Sequence, residues 1–185
     1  MGSLQNFEVS NQGIAKELRA MSKKSPERFK RRIDLSWSNW GFGLEALEKT
    51  AKRLRKNKLE WIELHGNRYG DNLGYNGQEA RKILSDHGIK VAGICGMFSS
   101  DNDLSSNRGV VRQAAIDYVK RNAELGREVG AQYMLIVPGA VGRPDKIDDY
   151  EIDRSVDALG RVADVLVDAG IKGAVEPIRA AEVSF

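Results

Sequence analysis

The 185-residue sequence predicts an α/β fold whose strands run parallel and form part of a barrel. Three observations carry this. The segments NKLEWIELHG, HGIKVAGICG, VGAQYMLIVPG and AGIKGAVEP each follow a helical pattern and open a short apolar run. In three of them glycine precedes the run, at Gly88, Gly130 and Gly170. Glycine best tolerates the left-handed conformation one step past a helix end, so these are helix-stop, strand-start junctions. Finally, polar residues occupy alternate strand positions, as expected where one sheet face lines a barrel interior and the other meets helices.

The elements follow in order. The basic stretch KELRAMSKKSPERFKRR fits a solvated helix over about 14–21 and a linker, so residues 1–28 read as an extension and 29–185 as the barrel portion. RIDLSW supplies a strand over 31–37, in which Asp34 and Ser36 alternate with Ile33 and Leu35. A helix over 44–56 places Leu44, Leu47, Ala51 and Leu54 on one face. The strand over 60–65 sets Ile62 and Leu64 against Trp61, Glu63 and His65. In the helix over 77–87, Ala80, Ile83, Leu84 and His87 share a face, and Asn76 with Glu79 resembles a capping pair. A strand over 90–95 leads to a helix over 109–129 with a stripe of Ala115, Tyr118, Val119, Leu125 and Val129. The strand over 132–138 is apolar on both faces, as a strand buried on both sides should be. A helix over 149–169, striped by Val156, Leu159, Ala163, Leu166 and Val167, precedes the last strand, 172–177.

Strict alternation implies right-handed crossovers. An open dinucleotide-binding sheet is disfavoured, because LSWSNWGFG after the first strand lacks the G-x-G-x-x-G spacing. The long connections MFSSDNDLSSNRG and PGAVGRPDKIDD both leave C-terminal strand ends, where such folds build their sites.

Hydrophobic residues make up 41% and charged residues 30% of the chain, which excludes a disordered protein. A net charge of +3 is too small to argue for a nucleic-acid or membrane partner, and Glu17 and Glu27 interrupt the basic stretch. Cys95 is the one cysteine, so no internal disulfide forms. MGSLQNFEVSNQG does not resemble a secretory signal, and no apolar run reaches membrane-spanning length. A cytoplasmic location is expected.

Glu176, closing the last strand on the face of Ala174, is the leading candidate for chemistry. A buried carboxylate is costly unless paired, hydrogen-bonded or bound to metal. From spacing alone a salt bridge to Arg179 or Lys172 explains it equally well. Glu182, six residues on, is either a second acid at the site or an exposed loop residue. His65 points inward by alternation, as a substrate contact or a structural hydrogen bonder. His87, at a helix end, reads as structural. Trp37 and Trp40 either wall a pocket or pack under loops. Arg143 and Lys146 fit a solvated loop better than an anion site, and Cys95 has no base nearby in sequence to make it a nucleophile.

The segments IELHGNRYG, GICGMFSSDNDLSSNRG, VPGAVGRP and especially AVEPIRAAEVSF resemble the sugar phosphate isomerase/epimerase family, the xylose isomerase-like TIM barrels that include ketose 3-epimerases. The likeness runs from about Arg31 to the last residue. It implies that Glu176 binds a divalent metal, commonly manganese with magnesium or cobalt as alternatives, and also acts as an acid/base. It implies that Glu182 contacts the sugar near its reacting carbonyl. His65, Trp37 and Arg179 are further candidate substrate contacts. The implied partner is a small sugar or sugar phosphate, and a homo-oligomer is compatible with it. The family's other ligands, an aspartate, a histidine and a second glutamate, come from strands six to eight. The chain therefore resembles the first five strands and four helices of an incomplete (β/α)8 barrel, and little activity is expected of it alone. Two other readings compete: a barrel fragment that self-associates through open sheet edges, and a nuclease for abasic DNA, which two histidines serve poorly.

Overall fold

The computed structural model describes residues 6–30, 33–43, 45–66, 75–179 and 181–185. Four helix-to-strand junctions in it share one geometry. At each, a backbone N–H reaches back five residues: Leu59 to Leu54 (3.0 Å), Ile89 to Leu84 (2.8 Å), Ala131 to Gly126 (2.8 Å) and Ile171 to Leu166 (2.9 Å). This is the Schellman closure, which needs a left-handed residue just before the donor. Gly88, Gly130 and Gly170 supply it with φ of 64°, 76° and 71°. In the first junction Lys58 takes the same role at φ 58°, without glycine's freedom. The donors Ile89, Ala131 and Ile171 are buried, so each closure also turns an apolar side chain into the core.

The chain divides into Met1–Asp34 and Leu35–Phe185. The first unit holds α1 (Asn6–Lys24) and α2 (Glu27–Lys30). α1 extends well beyond the expected 14–21, because no proline interrupts the sequence before Pro26 and Lys23 and Lys24 favour the helix C-terminus. The second unit holds β1 (Ser36–Ser38), a 3-10 turn (Asn39–Phe42), α3 (Leu47–Lys56), β2 (Trp61–His65), α4 (Gly77–Asp86), β3 (Lys90–Cys95), α5 (Gly109–Val129), β4 (Tyr133–Ile136), α6 (Glu151–Asp168) and β5 (Lys172–Val175).

The five strands form one parallel sheet in the order β1-β2-β3-β4-β5. Sequential order with a helix in each main crossover is the arrangement of a barrel wall, and the fold matches part of a TIM barrel. Leu54, Ile62, Leu64, Leu84, Ile94, Val119, Met134, Ile136 and Val162 are fully buried between the sheet and helices α3 to α6. Burying each such side chain contributes roughly 1.5–3 kcal/mol. Asn76 caps α4, its Oδ1 accepting from the Glu79 N–H at 3.0 Å. Among the described residues no helix is long and apolar enough to cross a membrane.

Two expectations are corrected. The first strand is three residues long, and Ile33 and Leu35 are 77% and 61% exposed instead of covered by helices. β1 is an edge with one neighbour, and its pairing begins only at Ser36, opposite Trp61. In α6, Val156, Ala163 and Val167 of the expected stripe are exposed; Glu151, Ser155, Ala158, Val162 and Leu166 form the buried face. This helix is apolar around much of its circumference, so periodicity alone does not choose its inner side. Arg31, Arg32, Leu44 and residues 67–74 lie outside the described residues.

Candidate active site

Alternation in β2 sorts its side chains. Ile62 and Leu64 are buried toward the helices, while Trp61, Glu63 and His65 are half-buried on the opposite face. Register carries that inner face across the sheet: Glu63 pairs with Gly93, and Gly93 with Tyr133. The next layer is His65, Cys95, Leu135 and Ala174. Glu176 lies two residues past Ala174, its N–H donating to Ile136 O at 2.9 Å, and so falls on the same inner face beyond the C-terminal end of β5.

The Tyr133 hydroxyl donates to Glu63 Oε2 at 2.6 Å across the whole width of β3. Gly93 permits this, since a Cβ there would stand 2.5 Å from the Tyr133 ring. Burial first, then the hydrogen bond and charge of Glu63, push the Tyr133 phenol well above its ordinary range. Burial likewise pushes the Cys95 thiol up to about 12, and the charges of Glu63 and Glu176 add to the rise. Cys95 is thus a neutral thiol beside two carboxylates, unsuited to nucleophilic attack.

Glu176 is half-buried, and neither Arg179 nor Lys172 pairs with it. Arg179 is turned instead to Glu182, its Nε donating to Oε1 at 2.6 Å on the protein surface. His65 belongs to the inner face, and its backbone N–H donates to Oδ1 of the buried Asn39 at 2.7 Å, tying the turn after β1 to the end of β2. Trp37 lies apart from the carboxylates. It pairs in register with Ile62 and lines a cavity of about 280 Å³ with Phe42, Arg53, Leu54, Asn57 and Leu59, on the helical side of the sheet. Another cavity, of about 450 Å³, opens at the N-terminal strand ends near Gly88, Lys90, Gly130 and Gln132, at the far end of the strands from Glu176.

The loops after β3, β4 and β5 are locked together. Arg143 donates to Glu151 Oε1 at 2.6 Å, to Asp103 Oδ2 at 3.1 Å and to Ser105 Oγ at 2.8 Å. Ser184 donates to Glu151 Oε2 at 2.5 Å, and the Gly142 N–H to Glu182 O at 2.9 Å. Asp103 and Glu151 are both buried. Arg143 is therefore not the solvated loop residue expected; two buried acids 48 residues apart, one in the loop after β3 and one at the start of α6, converge on it because the sheet brings them together. Burial raises the Glu151 carboxyl, but hydrogen bonds from Ser184, the Ile147 N–H and Arg143 outweigh it and hold the group below its ordinary value. Lys146 pairs with the exposed Asp149 at 2.5 Å. His87 Nε2 lies 2.8 Å from Glu48 Oε1, a structural contact between α3 and α4.

Glu63, Tyr133 and this latch were not singled out from the sequence. Alternation marked the face of Glu63, but its partner lies 70 residues away and no local signal connects them. A single carboxylate does not define a divalent metal site. Among the described residues no group of three or more His, Cys, Asp and Glu side chains could hold an ion. Glu176 can offer a metal one ligand; a complete set is not present among the described residues.

The sequence profile of the family described as xylose isomerase-like TIM barrel matches residues 42–185. No curated protein matches the chain. Among solved structures it is similar to a D-allulose 3-epimerase from Methylomonas sp., with TM-score 0.74, 15% identity and coverage of 83% of this chain and 55% of the other. It is similar to an L-ribulose 3-epimerase, with TM-score 0.72, 21% identity and coverage of 83% and 52%. It is also similar to a 3-keto-D-glucoside 4-epimerase from E. coli, with TM-score 0.68, 17% identity and coverage of 82% and 58%. The chain thus spans little more than half the length of each. At such identities the likeness establishes the fold.

Proposed function

The chain belongs to the xylose isomerase-like TIM-barrel family, and from that premise we propose that it carries half the active site of a sugar or sugar-phosphate isomerase/epimerase. The observation that carries this reading is the position of Glu176: past the C-terminal end of β5, on the inner face, beside Cys95 and free of Arg179 and Lys172. A carboxylate held there without a cation partner among the described residues is available to a substrate or an ion.

Epimerisation or isomerisation of a ketose removes a proton from the carbon beside the carbonyl. Glu176 is the base this chain contributes, and it also serves as one ligand of a divalent ion, manganese first among the candidates. Such an ion, when bound, supplies electrostatic stabilisation of the enediolate oxygens. The remaining ligands and the second acid/base come from outside the described residues. Glu63 and Tyr133, bonded to each other, form a polar floor below the site, and His65 faces the same space. Glu182 and Arg179 shape the rim as a pair. The exposed apolar side chains Val156, Val167 and Val175 at the β5 border support closure of the barrel by further elements. In this reading the chain is inactive alone, its partner is a small sugar, and its compartment is the cytoplasm.

The test joins the chain to the half of the L-ribulose 3-epimerase that it does not cover. The folded fusion is incubated with Mn2+ and a panel of ketoses in D2O, and deuterium next to the carbonyl is followed by NMR. The expected result is metal-dependent incorporation that Glu176→Gln abolishes and the chain alone does not show. A folded fusion that binds Mn2+ and incorporates no label contradicts the reading.

A further inference from the structure

α1 is a 19-residue helix with Gly13 inside it. An isolated helix of this length is marginal in water, and an internal glycine costs it roughly a further 1 kcal/mol. Yet its apolar side chains are exposed: Phe7 and Ile14 each by 63%, Val9 by 56%, Leu18 by 53% and Met21 by 44%. All but Val9 fall on one line. From Phe7 the steps are four residues to Asn11, three to Ile14, four to Leu18 and three to Met21. Alternating steps of four and three give a period of 3.5, the narrow seam of a paired helix. A helix that lies in a membrane surface presents a wide apolar face instead.

The charges agree with self-pairing. Six basic and three acidic side chains lie between residues 6 and 30, so this segment carries the chain's whole formal excess of +3. Such a segment would repel its own copy if the cations flanked the contact. Most do not: Lys16 and Lys23 lie opposite the seam, Arg19 is turned away from it, and Lys24 alone flanks it, at the last residue of the helix. In a parallel pair the flanking positions match Ser10 with Ala15 and Glu17 with Ser22 of the second copy, so no like charges meet. Asn11 is the single polar residue of the seam, and a lone asparagine there fixes the register of parallel helices because only alignment pairs its amide.

We infer that α1 packs along this seam against α1 of a second copy of the chain, parallel and in register, with Asn11 against its counterpart. The experiment is sedimentation of the full chain over a range of micromolar concentrations, alone and as the Ile14→Asp, Leu18→Asp double variant. Both substituted residues are exposed, so the sheet domain keeps its circular dichroism. In parallel, Asn11→Cys and Lys16→Cys are oxidised in a Cys95→Ser background. The expected result is concentration-dependent association that the double variant loses, with cross-linking at position 11 and not at position 16. A wild-type chain that stays monomeric at several hundred micromolar overturns the inference. So does association that survives in the double variant, or equal cross-linking at both positions. Binding of the wild-type chain to vesicles of anionic lipid without self-association overturns it as well.

Discussion

Tyr133 reaches Glu63 only because Gly93 lies between them on the middle strand. Neighbouring strands stand about 4.8 Å apart, so a bond spanning three strands needs a ring laid flat across the central one. The 2.6 Å contact joins a hydroxyl to a carboxylate, and bonds to charged groups contribute about 1.5–3 kcal/mol. Tyr133→Phe is expected to lower stability by that amount in urea denaturation. Gly93→Ala is expected to act in the same direction, since the added methyl group displaces the ring, and to bring the phenol of Tyr133 back toward its ordinary titration range by absorbance. If Gly93→Ala leaves both stability and titration unchanged, the ring does not lie where it is described. Glu176 shows how far residue-scale reading of the sequence extends. Period-two alternation from Ala174 gives its face, but the choice of Arg179 for Glu182 over Glu176 depends on how the last loop turns, which no spacing encodes.

At the scale of elements, three of the four helix-to-strand closures are legible because glycine marks them. The fourth is legible only by analogy, since Lys58 occupies the left-handed position without the residue that signals it. Lys58→Gly relieves that strain at the cost of a more flexible unfolded chain, and is expected to raise stability by up to about 1 kcal/mol in chemical denaturation. A loss of stability would show that Lys58 earns its place through contacts of its side chain. The loop latch was not legible at all. Asp103 and Arg143 are ordinary loop residues in sequence and Glu151 an ordinary acid in the first turn of a helix, and only the order of β3, β4 and β5 brings them together. Arg143→Met strands two buried acids and is expected to cost about 3–5 kcal/mol, with partial recovery when Glu151→Gln is added. The latch also sets a pH response. The folded carboxyl of Glu151 titrates below its ordinary value of 4.5, so its contribution is full above 4.5 and is lost as pH falls through the lower folded value. Denaturation midpoints measured down through pH 4.5 are expected to fall less steeply in Glu151→Gln than in the wild-type chain.

For the whole molecule, the sequence pattern of strand, helix and glycine was enough to read a parallel α/β wall in sequential order, because each repeat announces itself locally. Two features depended on what each repeat meets, and so could not be read. The outward turn of Val156 and Val167 follows from the packing of α6 on the sheet by its other face. The exposure of Ile33 and Leu35 follows from β1 being a border. Both borders leave apolar side chains uncovered, and both lie where a barrel wall would continue. The inner face between them gathers Glu63, Cys95 and Glu176. The most direct test of this account is a Mn2+ titration followed by electron paramagnetic resonance, on the chain fused to the uncovered half of the L-ribulose 3-epimerase and on its Glu176→Gln variant. The account predicts one bound ion per fusion, affinity weakened roughly tenfold or more by Glu176→Gln, and no comparable binding by the chain alone. Equal affinity in the fusion and its Glu176→Gln variant would contradict it.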